Sequence, residues 1–224
     1  MTDLVIGWPL PTFPDRHEFH GVSSLITGPT IEPIDLDETK RAMKFLSTTE
    51  DTLIDTWISA ARHKFETKTG IQIMTATWEF WPDGFPVGGT IELPKWPLQT
   101  VVSTVYGDVG SPEHVVDSGT YRVVNPQGPT AGRGYLSIVS GSSWPSVTNE
   151  AKAVRIRYTA GFGDAPGAVP EYIKSILYFL VGNQFRFRSA SQEFELAKVL
   201  MREDEMLRSF VYADTPILGP MRSA

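Results

Sequence analysis

The stretches Lys68–Ile71 (KTGI) and Tyr158–Asp164 (YTAGFGD), the second followed by Pro170, mark two changes of hydrophobic period that decide the fold. Before the first stretch and after the second, apolar residues recur with the period of amphipathic helices. Between them the period is two, which is typical of β-strands. The pattern predicts an α+β fold: a small bundle of about four helices interrupted by an inserted antiparallel β-module, with extended N- and C-terminal arms.

The first part of the helical core is predicted to span residues 34–70. Asp35 and Glu38 have the spacing of a capping box, so the first helix is expected to begin near Asp35. Thr48 or Thr49 is predicted to cap the second helix, and Gly70 to end it. The apolar face of this second helix consists of Leu53, Ile54, Trp57, Ile58, Ala61 and Phe65.

The second part of the helical core is predicted to span residues 161–212. A third helix is expected after Pro170, because proline is favoured at the first helical position. A fourth is predicted from Ser189, with Glu203, Asp204 and Glu205 on a solvated face. The apolar face of the third helix consists of Ile173, Ile176, Leu177, Leu180 and Val181.

The β-module is predicted to span residues 71–160, where short alternating runs are separated by glycine, proline, serine and asparagine. Such spacing is typical of a small antiparallel sheet or sandwich. The predicted strands begin at Ile71 and continue with Ile91–Leu93, Thr100–Tyr106, Tyr121–Val124, Tyr135–Val139 and Ala153–Tyr158.

Residues 1–33 and 213–224 have neither period and are predicted to be arms. The N-terminal arm contains several prolines but also Trp8, Phe13 and Phe19, which makes it too apolar for a free linker. We therefore expect it to lie along its own domain or along a neighbouring subunit.

Composition excludes several classes of function. The chain has no cysteine, which rules out thiol catalysis, thiolate zinc sites and disulfides. Its net charge of −6 opposes wrapping of nucleic acid. No segment approaches the ~18 apolar residues of a membrane-spanning helix, and the N-terminus lacks the basic start of a signal peptide, so no membrane partner is expected.

Candidate chemical sites each have a simpler explanation. His17 and His20 lie in a proline-rich arm without the scaffold of a metal site. The run Gly161–Asp164 lacks the lysine and hydroxyl residue of a phosphate loop and is better explained as a turn. No serine has a nucleophile-elbow sequence. The sequence therefore predicts no catalytic residue, no metal site and no cofactor.

Several short motifs follow one another in order between residues 34 and 188. They are Leu36–Lys40 with Phe45-Leu46, Asp51–Ile54 with Ala60-Ala61, Glu66 with Thr69-Gly70, Thr77–Glu79, Asp83–Pro86, Ile91–Pro94, Pro97-Leu98, and Tyr158–Gly163 with Val169-Pro170 and Ile173-Lys174. In this order the chain resembles the head-to-tail connector (adaptor) family of tailed bacteriophages, which includes members from gene transfer agents.

The resemblance implies a structural virion protein rather than an enzyme. Its members form a ring of about twelve copies beneath the portal, which connects the DNA-filled head to the tail and lets DNA pass without binding it specifically. The implied partners are the portal protein, a tail-side connector or terminator protein, and other copies of the chain. The implied location is the head–tail interface of the virion, after assembly in the bacterial host cytoplasm.

The resemblance also implies a portal-binding segment, because the C-terminal segment of this family docks on the portal. Leu218 and Met221 would be its apolar anchors and Arg222 a charged contact. The full set of implied portal-binding residues is Ile217, Leu218, Pro220, Met221 and Arg222.

Two alternatives remain open. The β-module could bind a glycan or another partner through exposed tryptophans, since aromatic rings stack on sugars. The candidates for such a platform are Trp78, Trp81, Trp96 and Trp144. The chain could also be an enzyme of an unrecognised type, which would need a concave cluster of titratable groups.

Overall fold

The computed structural model describes residues 21–45, 47–86, 89–107, 112–126, 132–147, 152–186 and 202–208. These residues form helices and two antiparallel β-sheets, so the predicted α+β class is confirmed. The helices are α1 (Leu36–Met43), α2 (Asp51–Thr69) and α3 (Glu171–Arg186), and residues 202–208 are also helical. We call residues 202–208 the C-terminal helical segment.

Helix α1 begins where the sequence predicts it. The Asp35 carboxylate accepts a hydrogen bond from the Glu38 backbone N–H at 2.7 Å, which satisfies one of the unpaired amides at the helix start. The helix ends at Lys44, whose φ of 56° is left-handed. The capping prediction for α1 is therefore confirmed.

The predicted cap of α2 is wrong. The N-cap residue is Glu50, and its side chain makes no capping hydrogen bond. The Thr49 hydroxyl instead lies 2.9 Å from the Ser47 hydroxyl. Asp51, in the first turn of α2, forms an ion pair with Lys40 of α1 at 2.6 Å. At its other end α2 stops as predicted, because Gly70 has a φ of 77° and its N–H bonds the Glu66 carbonyl at 3.1 Å.

The larger sheet has five strands in the order β1-β2-β8-β4-β5. Neighbouring strands are antiparallel throughout. The strands are β1 (Gly21–Thr27), β2 (Ala76–Pro82), β8 (Val154–Ala160), β4 (Leu98–Tyr106) and β5 (His114–Val115).

The smaller sheet has three strands in the order β3-β7-β6, also antiparallel. They are β3 (Thr90–Glu92), β7 (Tyr135–Ile138) and β6 (Tyr121–Val124). The predicted strands from Ile91 onward all have a counterpart, whereas the run from Ile71 becomes a strand only at Ala76. β1 and β5 are strands that the sequence analysis does not predict.

Two groups of buried apolar residues stabilise the fold. The first, the helical cluster, joins the faces of α2 and α3, and it extends to Ile71, Ile73 and Trp96. The second, the sheet cluster, contains residues of both sheets. Fully burying a side chain such as Phe65 or Tyr158 contributes about 1.5–3 kcal/mol. Of the predicted apolar face of α2, Leu53 is an exception, since it is 42% exposed.

Strand β1 comes from the predicted N-terminal arm. Gly21 pairs with Pro82 and Leu25 with Trp78, so this part of the arm lies along the chain's own sheet. The division into arms, helical core and β-module stays a prediction, and residues 1–20 and 209–224 lie outside the described part of the chain.

Candidate functional site

The predicted portal-binding residues lie outside the described residues, as do His17 and His20. Among the described residues, no group of three or more histidines or acidic residues could hold a metal ion. Nor is any helix of the described part long and apolar enough to cross a membrane. The predicted portal-binding residues are Ile217, Leu218, Pro220, Met221 and Arg222.

The segment that leads to the predicted tail is fixed to the helical core by a buried acid. Glu203 is only 3% exposed, and its carboxylate accepts hydrogen bonds from Lys64 of α2 and from Asn183 of α3, the latter at 2.7 Å. Leu207, one turn later, is 1% exposed in the helical cluster. The prediction of a solvated Glu203 is therefore wrong, because two side chains of other helices supply its partners.

The solvent side of the same segment adds a second attachment. The Asp204 carboxylate forms an ion pair with Lys68 of α2 at 2.8 Å and a second with Arg208 at 3.3 Å. The hydrogen bond from Lys68 lowers the pKa of the Asp204 carboxyl, although the exposure of this pair limits its contribution to stability. Glu205 is exposed, as predicted. The described part of the chain ends at residue 208, which the ion pair between Asp204 and Lys68 holds near α2.

We expect Glu203→Ala to detach the C-terminal helical segment. The change leaves Lys64 and Asn183 without their acceptor, a loss of about 1–3 kcal/mol. Amide hydrogen exchange across residues 202–208 should rise by about 5- to 150-fold. Glu205→Ala, an exposed acid in the same segment, is the matched control and should leave exchange unchanged. Equal exchange in the two variants would contradict the anchoring role of Glu203.

A buried polar network joins the helices to the sheets. One oxygen of Glu66 accepts hydrogen bonds from the Gln72 side chain at 2.8 Å and the Ile73 N–H at 3.0 Å. The other accepts from Arg62 at 3.0 Å. Burial raises the pKa of Glu66, while the Ile73 N–H and the Arg62 guanidinium oppose that shift. The network fixes the chain at the point where α2 turns toward the strands.

Arg62 extends this network to the residues after β1. Its Nε donates to the Glu32 carboxylate at 2.7 Å, and Ser59 donates to the same carboxylate at 2.8 Å. Because one guanidinium binds both Glu32 and Glu66, it holds the connection between β1 and α1 against α2. The helical core, the arm and the strands therefore meet at Arg62.

One face of the five-stranded sheet has a buried acid beneath two arginines. Glu79 of β2 is 4% exposed and accepts hydrogen bonds from Arg157 of β8, its cross-strand neighbour. Arg155 lies 3.5 Å from the same carboxylate and also pairs with Glu113. Glu79 is thus paired with both arginines and Arg155 also with Glu113, which is an arrangement that stabilises the pairing of neighbouring strands.

The four candidate tryptophans do not form one platform. Trp96 is 8% exposed and belongs to the helical cluster, whereas Trp144 packs with the sheet cluster. Trp144 stacks on Phe85, with ring centroids 4.9 Å apart and an interplanar angle of 7°. Its ring is therefore already occupied by another aromatic ring.

The other two tryptophans each have a lysine over the ring. Lys95 lies 4.9 Å from the Trp78 centroid, and Lys152 lies 5.3 Å from that of Trp81. The Trp78 indole N–H also donates to Gln72 at 3.0 Å. Because each ring already has a lysine over it, the surroundings of these rings do not favour a sugar-stacking site.

Among known proteins, only solved structures are similar to this chain. No protein-family model and no curated protein matches the chain. A chain from the neck of an empty gene transfer agent (GTA) particle, computed with C6 symmetry, has a TM-score of 0.64 and 19% identity. The alignment covers 81% of this chain and 94% of that one.

Two further structures agree with the first. A chain from the virion of a native GTA particle has a TM-score of 0.63 at 20% identity, covering 80% of this chain and 93% of that one. A chain from the neck of a native GTA particle, computed with C12 symmetry, has a TM-score of 0.63 at 19% identity. That alignment covers 81% of this chain and 94% of the neck chain. The likeness confirms the fold that the motif order implies.

Proposed function

We propose that the chain is a structural protein of the neck of a phage or phage-like particle. In this proposal it forms a ring of about twelve copies beneath the portal, joins the DNA-filled head to the tail and lets DNA pass. The observation that carries the proposal is the shared fold, since 94% of a neck chain of a GTA particle aligns with 81% of this one. The role is non-enzymatic and the location is the virion, after assembly in the host cytoplasm.

The anchored C-terminal helical segment supports docking of the tail on the portal. Glu203 and Leu207 hold residues 202–208 to the helical core, so the chain that leads to the tail is fixed as far as residue 208. A ring of anchored tails would present the same short apolar segment repeatedly to a ring-shaped partner. Because each copy would repeat the same weak contact, the ring as a whole would bind the portal more tightly than a single tail does.

The charge of the chain supports passage of DNA rather than its capture. A net charge of −6 per subunit, repeated around a ring, makes the assembly acidic as a whole, and an acidic assembly repels the phosphates of DNA. A duplex would then slide through without being held. We propose a tail-side connector or terminator protein as the partner at the other end of the ring, with no specific binding of DNA.

Imaging tests this proposal directly. The full-length chain, mixed with the portal protein of the same particle, should add a second ring to the portal in negative-stain electron microscopy. The portal alone is the control for the position of that ring. A chain that stays monomeric beside unaltered portals would overturn the proposed function.

A further inference from the structure

Strand β1 is an edge strand with an unusual surface. It is the first strand of the five-stranded sheet, and in the part of the chain that the structure describes no strand pairs with its outer edge. Val22 is 61% exposed, Leu25 48% and Ile26 46%. The seven residues Gly21–Thr27 therefore combine free backbone hydrogen-bonding groups with exposed apolar side chains.

A register shift between Leu25 and Thr27 interrupts the pairing of β1 with β2, but no side chain within β1 protects the outer edge. The sequence GVSSLIT has no charged residue and no proline, the features that usually prevent an edge from pairing with another chain. The opposite edge of the sheet, β5, has only two residues and offers little to pair with. An exposed, apolar edge of seven residues is expected to be covered in the assembled state.

We propose that the N-terminal arm of a neighbouring copy adds a strand to β1, with Leu4–Ile6 at its centre. This inference rests on the proposed ring, because it names a contact between adjacent subunits. Leu4, Val5 and Ile6 form an uncharged apolar run, and Val and Ile favour strands. Backbone hydrogen bonds to β1 would supply affinity, and the exposed Val22 and Ile26 would be covered.

The arm is long enough to reach a neighbouring copy, and its prolines suit an extended path. Residues 7–20 separate the apolar run from β1 and can span up to about 46 Å when extended. Pro9, Pro11 and Pro14 lie in this stretch, and proline favours extended backbone over a tight reversal. A strand of one copy on the edge of the next is also a heterologous contact, the kind that closes a ring.

Cysteine cross-linking tests the contact cleanly, because the chain has no cysteine of its own. Tagged copies with Val5→Cys are assembled with untagged copies carrying Val22→Cys, Ser24→Cys or Ile26→Cys, and are then oxidised. At least one pair should give a disulfide between copies at ten or more times the yield of a control pair. The control is Val5→Cys with Val123→Cys, since Val123 is 41% exposed on β6 of the smaller sheet.

Two results would overturn the strand addition. One is a yield no higher than that of the control pair in assemblies that do contain rings. The other is a disulfide within a single chain, detected when the doubly substituted chain is diluted with an excess of the cysteine-free protein. Absence of rings with the unsubstituted protein would count against the proposed function instead, so the two failures are distinguishable.

Discussion

Deletion of residues 213–224 is expected to abolish binding of the chain to its portal protein. Leu218 and Met221 are the proposed apolar anchors, and losing two such anchors at about 2 kcal/mol each weakens binding about a thousandfold. A pull-down of portal protein with the tagged chain measures the loss. The melting temperature is the control for folding, because the deletion keeps all the residues that the structure describes.

Point variants separate the anchors from the tail as a whole. Leu218→Ser combined with Met221→Ser should reproduce most of the loss, since it removes apolar contact and keeps the length of the tail. Ser223→Ala, in the same tail, is the matched control and should bind normally. Portal binding that survives the deletion unchanged would show that the tail is not the docking element.

Glu66→Ala is expected to lower the free energy of unfolding by about 3–5 kcal/mol. The change removes the acceptor of Gln72, of the Ile73 N–H and of Arg62 at a position that is 6% exposed. Urea denaturation followed by tryptophan fluorescence measures the loss. Asp55→Ala, an exposed acid on the same helix, is the control, and an equal effect of both changes would contradict the account of the junction.

The same site has a defined pH dependence. Burial raises the pKa of Glu66 above its usual 4.5, so the folded protein binds this proton more tightly than the unfolded chain does. The contribution of this proton to the free energy of unfolding is fully present below about pH 4.5, and it is lost as the pH rises through the pKa of Glu66 in the folded protein. Relative to Glu66→Gln, the wild-type protein should therefore lose stability between pH 4 and pH 8. A difference that stays constant or grows over this range would contradict a raised pKa.

The helices were predictable because their signals are local. The cap at Asp35, the glycine at Gly70 and the apolar face of α3 each depend on residues within a few turns. Most strands of the β-module were predictable for the same reason. The capping prediction at Thr48 and Thr49 failed because neighbouring polar groups compete, and Thr49 pairs with Ser47 instead.

What the sequence did not predict depends on contacts between distant residues. Strand β1 has no alternation, since Val22, Leu25 and Ile26 are all exposed at the sheet edge and no buried face imposes a period of two. Glu203 looks like a solvated acid until Lys64, far away in sequence, is placed beside it. The adjacency of β2 and β8, the central strand of the larger sheet, is likewise non-local.

The candidate site likewise has one part that the sequence predicts and another that depends on contacts between distant residues. The motif order was sufficient to predict the fold of a connector, and the solved neck structures bear that fold out. The order says nothing about how the C-terminal helical segment is held or which edge of the sheet is left open. Those features come from Glu203 and from β1, where charge and exposure are known only once the chain is folded.

The central claim is that copies of this chain form a ring on the portal. Electron cryo-microscopy of the full-length chain bound to its portal measures it most directly. We expect a closed ring of about twelve copies coaxial with the portal, with each C-terminal tail against a portal subunit. Single copies bound away from the portal axis, or no added density at all, would contradict the account.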